Sequence, residues 1–178
     1  MHHRIADFDA RREAVGQHAS GLALEDGQQR AGDAGVGLVH VDRRRQLAGG
    51  METIGTHVDH SPVLSEAETE VAILSTAVFW NAPYVVANHR RHALKSGIPE
   101  AVVDAILDKQ RHAPVPGRLG VVCDAVGDLL AGGAVDDARF ARYVSELGRA
   151  AIAELIVTIG YFTSVSLAMT FHALQPRS

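Results

Sequence analysis

The feature that most constrains this fold is a long uncharged run between one carboxylate and one imidazole. Glu70 and His89 bracket eighteen consecutive positions that carry no Asp, Glu, Lys, Arg or His. Pro83 lies inside the run, and a helix accommodates proline readily only in its first turn. We therefore predict two helices that meet near Asn81. They would form a buried antiparallel hairpin over about residues 65–96, with Glu70 and His89 on the same side.

Sequence signals on both sides of this run are those of helix ends. Ser65 and Glu68 form an S-x-x-E capping box before the first helix, Asn81 is a candidate cap for the second, and Gly97 is a typical residue just after a helix. Apolar spacing predicts further helices at about 38–58, 98–109, 120–131, 136–147 and 149–172. Strand patterns with hairpin turns are missing from the sequence. The prediction is an all-α, single-domain helical bundle.

Composition separates the first part of the chain from the rest. Residues 1–37 are rich in Ala, Gly, Arg, Asp, Gln and His and hold one aromatic residue, Phe8. We predict a poorly packed N-terminal arm there and a helical domain over residues 38–178. The whole chain, at 178 residues, suits one domain with its own core.

Charge and cysteine usage exclude several classes of protein. A net charge of −4 leaves no basic surface for a nucleic-acid partner. A single cysteine, Cys123, excludes an internal disulfide and a CxxC redox pair. We expect Cys123 to be an inert core thiol and the protein to be cytoplasmic. The uncharged stretches 71–88 and 155–171 approach the minimum length of a membrane span, but buried helices of an oligomer explain them equally well. We expect no membrane association.

Glu70 and His89 are the candidate catalytic residues. Each also has a simpler interpretation, since a first-turn glutamate favours the helix dipole and a histidine among apolar residues is often a hydrogen-bonded core residue. Possible substrate-binding residues are Trp80, Asn81, Tyr84 and Asn88, although each alone also fits core packing. The His57/His60 and His89/His92 spacings lack a third ligand, so we predict no metal and no cofactor.

The segment EVAILSTAVFWNAPYVVANHRRHALKSGIPEAVVDAIL resembles the central helix pair and following helix of the carboxymuconolactone decarboxylase family. That family includes the alkylhydroperoxidase D-like proteins, and ELIVTIGYFTSVSLAMT resembles its last helix. The resemblance spans about residues 40–174. It implies an all-α domain that assembles as a homo-oligomer, commonly a trimer or hexamer, and binds a small molecule.

One departure from the family pattern bears directly on chemistry. The peroxidase branch has Glu, eleven residues, Cys, two residues, Cys, three residues and His. On this chain the Glu and His fall on Glu70 and His89, while the two cysteine positions fall on Ala82 and Val85. Peroxide reduction of that kind needs both thiols. The resemblance therefore favours a decarboxylase or other lyase acting on a small carboxylated lactone. The alternatives are an alkylhydroperoxidase or peroxiredoxin-type antioxidant protein, or a non-catalytic oligomeric binding protein.

Overall fold

A computed structural model describes residues 34–109, 115–132, 134–174 and 176, and all regular structure in these residues is helical. This confirms the all-α prediction. The helices are α1 (Ala34–Asp59), α2 (Glu66–Phe79), α3 (Pro83–Lys95), α4 (Glu100–Leu107), α5 (Gly117–Ala131), α6 (Asp137–Leu147) and α7 (Arg149–Phe171).

By the contacts between residues in space, the chain divides into two compact units, Met1–Ala48 and Gly49–Ser178. The core and the candidate site lie in the second unit. Of the predicted N-terminal arm, residues 1–33 lie outside the described residues, and residues 34–37 begin α1, four residues before the predicted helix start.

Helix α2 begins at the predicted capping box. The Ser65 side chain accepts a hydrogen bond from the Glu68 backbone N–H at 3.3 Å, and the Glu68 carboxylate accepts one from the Ser65 N–H at 2.8 Å. Asp136 caps α6 by accepting a hydrogen bond from the Arg139 N–H. Gly97 follows α3 with a φ of 89°, which is the left-handed conformation expected just past a helix end.

The prediction that Asn81 caps α3 is wrong. The N-cap of α3 is Ala82, which makes no side-chain cap, and Pro83 is the first helical residue. Asn81 instead ends α2 with a φ of 50°. Its N–H bonds to the Val78 carbonyl, and the Ala82 N–H bonds to the Ala77 carbonyl at 2.9 Å. This is a Schellman motif, in which asparagine tolerates the left-handed conformation better than most residues.

Helix α2 forms the centre of the bundle. It packs against α3, α5 and α7, and its residues 68–78 are buried except for Ser75. A helix that is apolar on nearly all sides is stable only when neighbours cover it. Helices α2 and α3 occupy the segment for which a hairpin is predicted, and they pack against each other.

The two uncharged stretches have different environments in the structure. Residues 71–88 are interrupted by the junction at 80–82, whereas α7 is continuous over 23 residues. By length and composition, α7 is the one described helix that could cross a membrane. An 18-residue segment of it has a mean hydropathy of 1.6, and 22% of that segment is buried. One face of α7 packs on the core through Leu155, Thr158 and Phe162.

Candidate active site

Glu70 and His89 are in direct contact. His89 Nδ1 lies 3.0 Å from Glu70 Oε2 and 3.3 Å from Oε1. Glu70 projects from the second turn of α2, and His89 from the middle of α3, on the same face as Val85 one turn earlier. Two positions that are nineteen apart in the numbering thus meet because α2 and α3 are packed neighbours.

Burial of this pair is uneven. The Glu70 side chain is 10% exposed and the His89 side chain is 22% exposed. Phe162 from α7 approaches the imidazole edge to face, with ring centroids 5.1 Å apart and planes at 83°. His92, one turn along α3, has its ring centroid 5.7 Å from that of His89. The carboxylate is therefore the deeper member, and the imidazole separates it from solvent.

This geometry assigns separate tasks to the two ring nitrogens of His89. When Glu70 is ionised it can only accept, and the hydrogen bond between them then requires the proton on His89 Nδ1. Within the part of the chain that the structure describes, no group hydrogen bonds to Nε2 of His89. Such a dyad can exchange a proton with a bound molecule through Nε2 while the carboxylate orients the ring and stabilises its charged form.

Trp80 and Asn81 lie at the opposite end of α2 from Glu70. Trp80 is ten residues further on, roughly 15 Å along the helix axis. Its indole Nε1–H donates to Thr163 Oγ1 at 3.0 Å, and Asn81 Oδ1 accepts from Lys109 Nζ at 2.9 Å. These contacts hold the α2–α3 junction, and neither residue hydrogen bonds to the acid–base pair.

Tyr84 and Asn88 lie on α3, and both are half-buried. Asn88 is next to His89 in sequence, and its Oδ1 accepts from the Arg91 guanidinium at 3.3 Å. The described contacts give Tyr84 no hydrogen bond to the pair. Of the predicted site residues, the structure thus brings Glu70 and His89 together, and the binding roles of the other four stay predictions.

The positions that carry cysteines in the peroxidase branch are buried apolar contacts here. Ala82 is fully buried and Val85 is 3% exposed, and both belong to a small cluster with Val58 and Phe162. Cys123 lies on α5 and is 4% exposed. Burial, and to a lesser degree the charge of Asp124, raises the pKa of the Cys123 thiol to about 11. A thiol in that state is neutral and unreactive near pH 7.

A second carboxylate–imidazole contact joins α1 to α7. Glu154 Oε1 lies 3.5 Å from His57 Nε2, and the Ser61 hydroxyl donates to Glu154 Oε2. Ser61 Oγ also accepts from the Leu64 N–H at 2.8 Å, so this cluster anchors the connection between α1 and α2. In the described residues, no group of three or more His, Cys, Asp or Glu side chains is arranged to hold a metal ion.

Sequence reasoning missed two side chains that support the site. Phe162 packs edge to face against the His89 ring although it lies more than seventy residues away in the chain. Arg118 donates from Nε to Glu68 at 2.7 Å and from Nη1 to the carbonyls of both Glu146 and Leu147. No local pattern marks either residue, because their partners are set by the packing of distant helices.

No protein-family model matches the sequence, and no curated protein matches it. The resemblance to the carboxymuconolactone decarboxylase family therefore depends on the sequence segments quoted above.

Proposed function

We propose that this protein is a decarboxylase or related lyase that acts on a small carboxylated, unsaturated lactone by Glu70/His89 proton transfer. The observation that carries the proposal is the contact between a largely buried carboxylate and Nδ1 of a more exposed imidazole. Acid–base pairs of this kind are suited to a reaction in which one proton is delivered to a carbanion-like intermediate.

The reaction proceeds by loss of CO₂ from the substrate carboxylate. The electron pair of the broken C–C bond moves into the unsaturated lactone and forms a dienolate. Glu70 is the general acid/base, and His89 polarises the oxygen that gains charge or shuttles the proton. Because Nδ1 faces Glu70, a shuttled proton leaves through Nε2. Each CO₂ released consumes one proton, which solvent then restores to the pair.

The family resemblance also supports a homo-oligomer, a trimer or hexamer, in the cytoplasm. Absence of a charge from residues 155–171 supports subunit contacts through α7. The proposal includes no cofactor, because proton transfer to a dienolate already conjugated with a carbonyl needs no further electron sink.

An antioxidant function of the peroxidase type is disfavoured by the thiol chemistry. The motif cysteines are replaced by Ala82 and Val85, and Cys123 is a buried thiol whose pKa is raised to about 11. Hydroperoxide reduction by the purified protein that survives Cys123→Ser would contradict this argument.

The test measures CO₂ release from small unsaturated lactones that carry a carboxylate. Glu70→Gln and His89→Gln should each lower kcat by about 10²–10⁴-fold, the usual contribution of a positioned acid or base. Glu66→Gln is the matched control, because Glu66 is an exposed glutamate in the first turn of the same helix. It should keep wild-type activity. Full activity in Glu70→Gln would refute the assigned role.

A further inference from the structure

The outer face of α7 carries a regular uncharged seam. Six exposed residues recur at alternating spacings of four and three, the a/d spacing by which helices pair: Ala153, Val157, Gly160, Ser164, Leu167 and Phe171. The seam is roughly 27 Å long at the rise of an α-helix. It faces away from the buried stripe of the same helix, which includes Leu155 and Phe162.

The seam exposes large apolar side chains. Phe171 is 82% exposed, Val157 is 44% and Leu167 is 45%, and Ile156 beside the seam is 51% exposed. Between residues 150 and 171 the single charged side chain is Glu154, which turns to Ser61 and His57. Soluble monomers rarely keep a continuous apolar face of this kind, so it calls for a covering partner.

The seam is complementary to itself. When a second copy of α7 runs antiparallel about a two-fold axis at residue 162, every seam position meets another seam position. Ala153 then lies opposite Phe171, Val157 opposite Leu167, and Gly160 opposite Ser164. The largest side chain meets one of the smallest at each end, and the small central pair lets the two backbones approach closely.

We propose that a second copy of this chain covers α7 by antiparallel two-fold pairing centred on residue 162. Such an isologous contact occurs in a dimer and in a hexamer built from two trimers, but not in a cyclic trimer. The inference therefore refines the homo-oligomer proposed above. It does not depend on whether Glu70 and His89 carry out decarboxylation.

The size of the face predicts a modest affinity. A 23-residue helix is roughly 34 Å long and about 10 Å wide, so its outline covers roughly 340 Å² per chain. Because interdigitating side chains bury more accessible surface than the outline of the helix, we take the surface buried on both chains together as roughly 1,000 Å². This area is at the lower limit for a specific interface. We expect a dissociation constant in the micromolar range from this contact alone.

A lipid bilayer is the competing occupant, because α7 is long and apolar enough to span one. The seam argues for protein instead. Its centre holds Gly160 and Ser164, and its largest residue, Phe171, lies opposite the small Ala153 of the second copy. Contact with lipid requires neither arrangement. The opposite face of α7 packs against α2, so lipid could contact only part of the helix.

Disulfide trapping tests the register directly. Val157→Cys and Leu167→Cys are each made with Cys123→Ser, which removes the native thiol, and the two chains carry tags of different mass. Mild oxidation of the mixture should give a mixed disulfide. Each chain alone should not, because two copies of one position lie ten residues apart, roughly 15 Å along the axis, far beyond the Cβ separation of about 4 Å in a disulfide.

A charge placed in the seam tests the association itself. Leu167→Glu should shift the sedimentation coefficient toward that of a smaller species, while Ala101→Glu on α4, also an exposed site, should leave it unchanged. Far-ultraviolet circular dichroism checks that both variants fold. The proposal is overturned if the mixture gives no mixed disulfide or if either single variant crosslinks to itself. Association only with phosphatidylcholine vesicles would overturn it too.

Discussion

Two glycines of α5 offer the same chemical change in opposite surroundings. A Cβ added at Gly120 would collide with the backbone carbonyl of Val115, whereas a Cβ at Gly127 would meet nothing within 4 Å. Val115 precedes the turn into α5, and its backbone cannot rotate away as a flexible side chain could. We therefore expect Gly120→Ala to destabilise the fold and Gly127→Ala to stabilise it.

The expected sizes follow from two separable effects. Replacing glycine by alanine inside a helix stabilises by about 1 kcal/mol, and this gain is common to both sites. Forcing extra volume into a filled site costs about 1–3 kcal/mol, and this cost applies only to Gly120. The free energies of unfolding of the two variants should thus differ by about 1–3 kcal/mol. For a chain of this length, each kcal/mol shifts Tm by about 2–4 °C.

Urea unfolding followed by circular dichroism at the helix minimum measures this difference. If the free energy of unfolding falls with urea concentration at the same slope in both variants, both unfold in the same way and their midpoints can be compared. Equal midpoints for Gly120→Ala and Gly127→Ala would refute the close approach of Val115 to α5. Such a result would also question the position of Arg118, which lies between Val115 and Gly120 in the chain and contacts α2.

Two further predictions concern charged and ionisable groups. Arg118→Met should lower the free energy of unfolding by about 3 kcal/mol, because it leaves the buried Glu68 carboxylate without its cation. Arg142→Met removes a solvent-exposed cation and should change stability much less in the same denaturation assay. Burial, followed by its hydrogen bond to a carboxylate, raises the pKa of Tyr143 to about 12 from an ordinary value of 10.0. The unfolded chain therefore loses this proton first, so stability should fall as pH rises from about 10 to 12, and Tyr143→Phe should flatten that part of the pH profile. If Tyr143→Phe leaves the pH dependence of stability unchanged between about pH 10 and 12, the raised pKa of Tyr143 is contradicted.

Much of the secondary structure was predictable because its signals are local. The capping box at Ser65, the cap at Asp136 and the left-handed Gly97 all depend on hydrogen bonds within a few residues. Asn81 was misassigned because asparagine favours both the start of a helix and the left-handed position after one. Pro83 decides between them, since it fixes Ala82 as the N-cap and leaves Asn81 to end α2.

The candidate site was only partly predictable. The family resemblance indicates Glu70 and His89, and the structure places their side chains in contact, while their catalytic roles stay predictions. No spacing in the sequence could locate Phe162 against His89, or the contact of Glu154 with His57 and Ser61. The sequence predicts Trp80 and Asn81 as substrate-binding residues that shape the pocket. Helix geometry places them at the far end of α2.

The helices and several of their ends, including those at Ser65 and Gly97, follow from the sequence because capping hydrogen bonds and hydrophobic periodicity are local. The contact of Glu70 with His89, the burial of Cys123 and the exposed face of α7 depend on tertiary packing. These outcomes depend on how whole helices pack across the bundle, where each contact joins residues far apart in the chain.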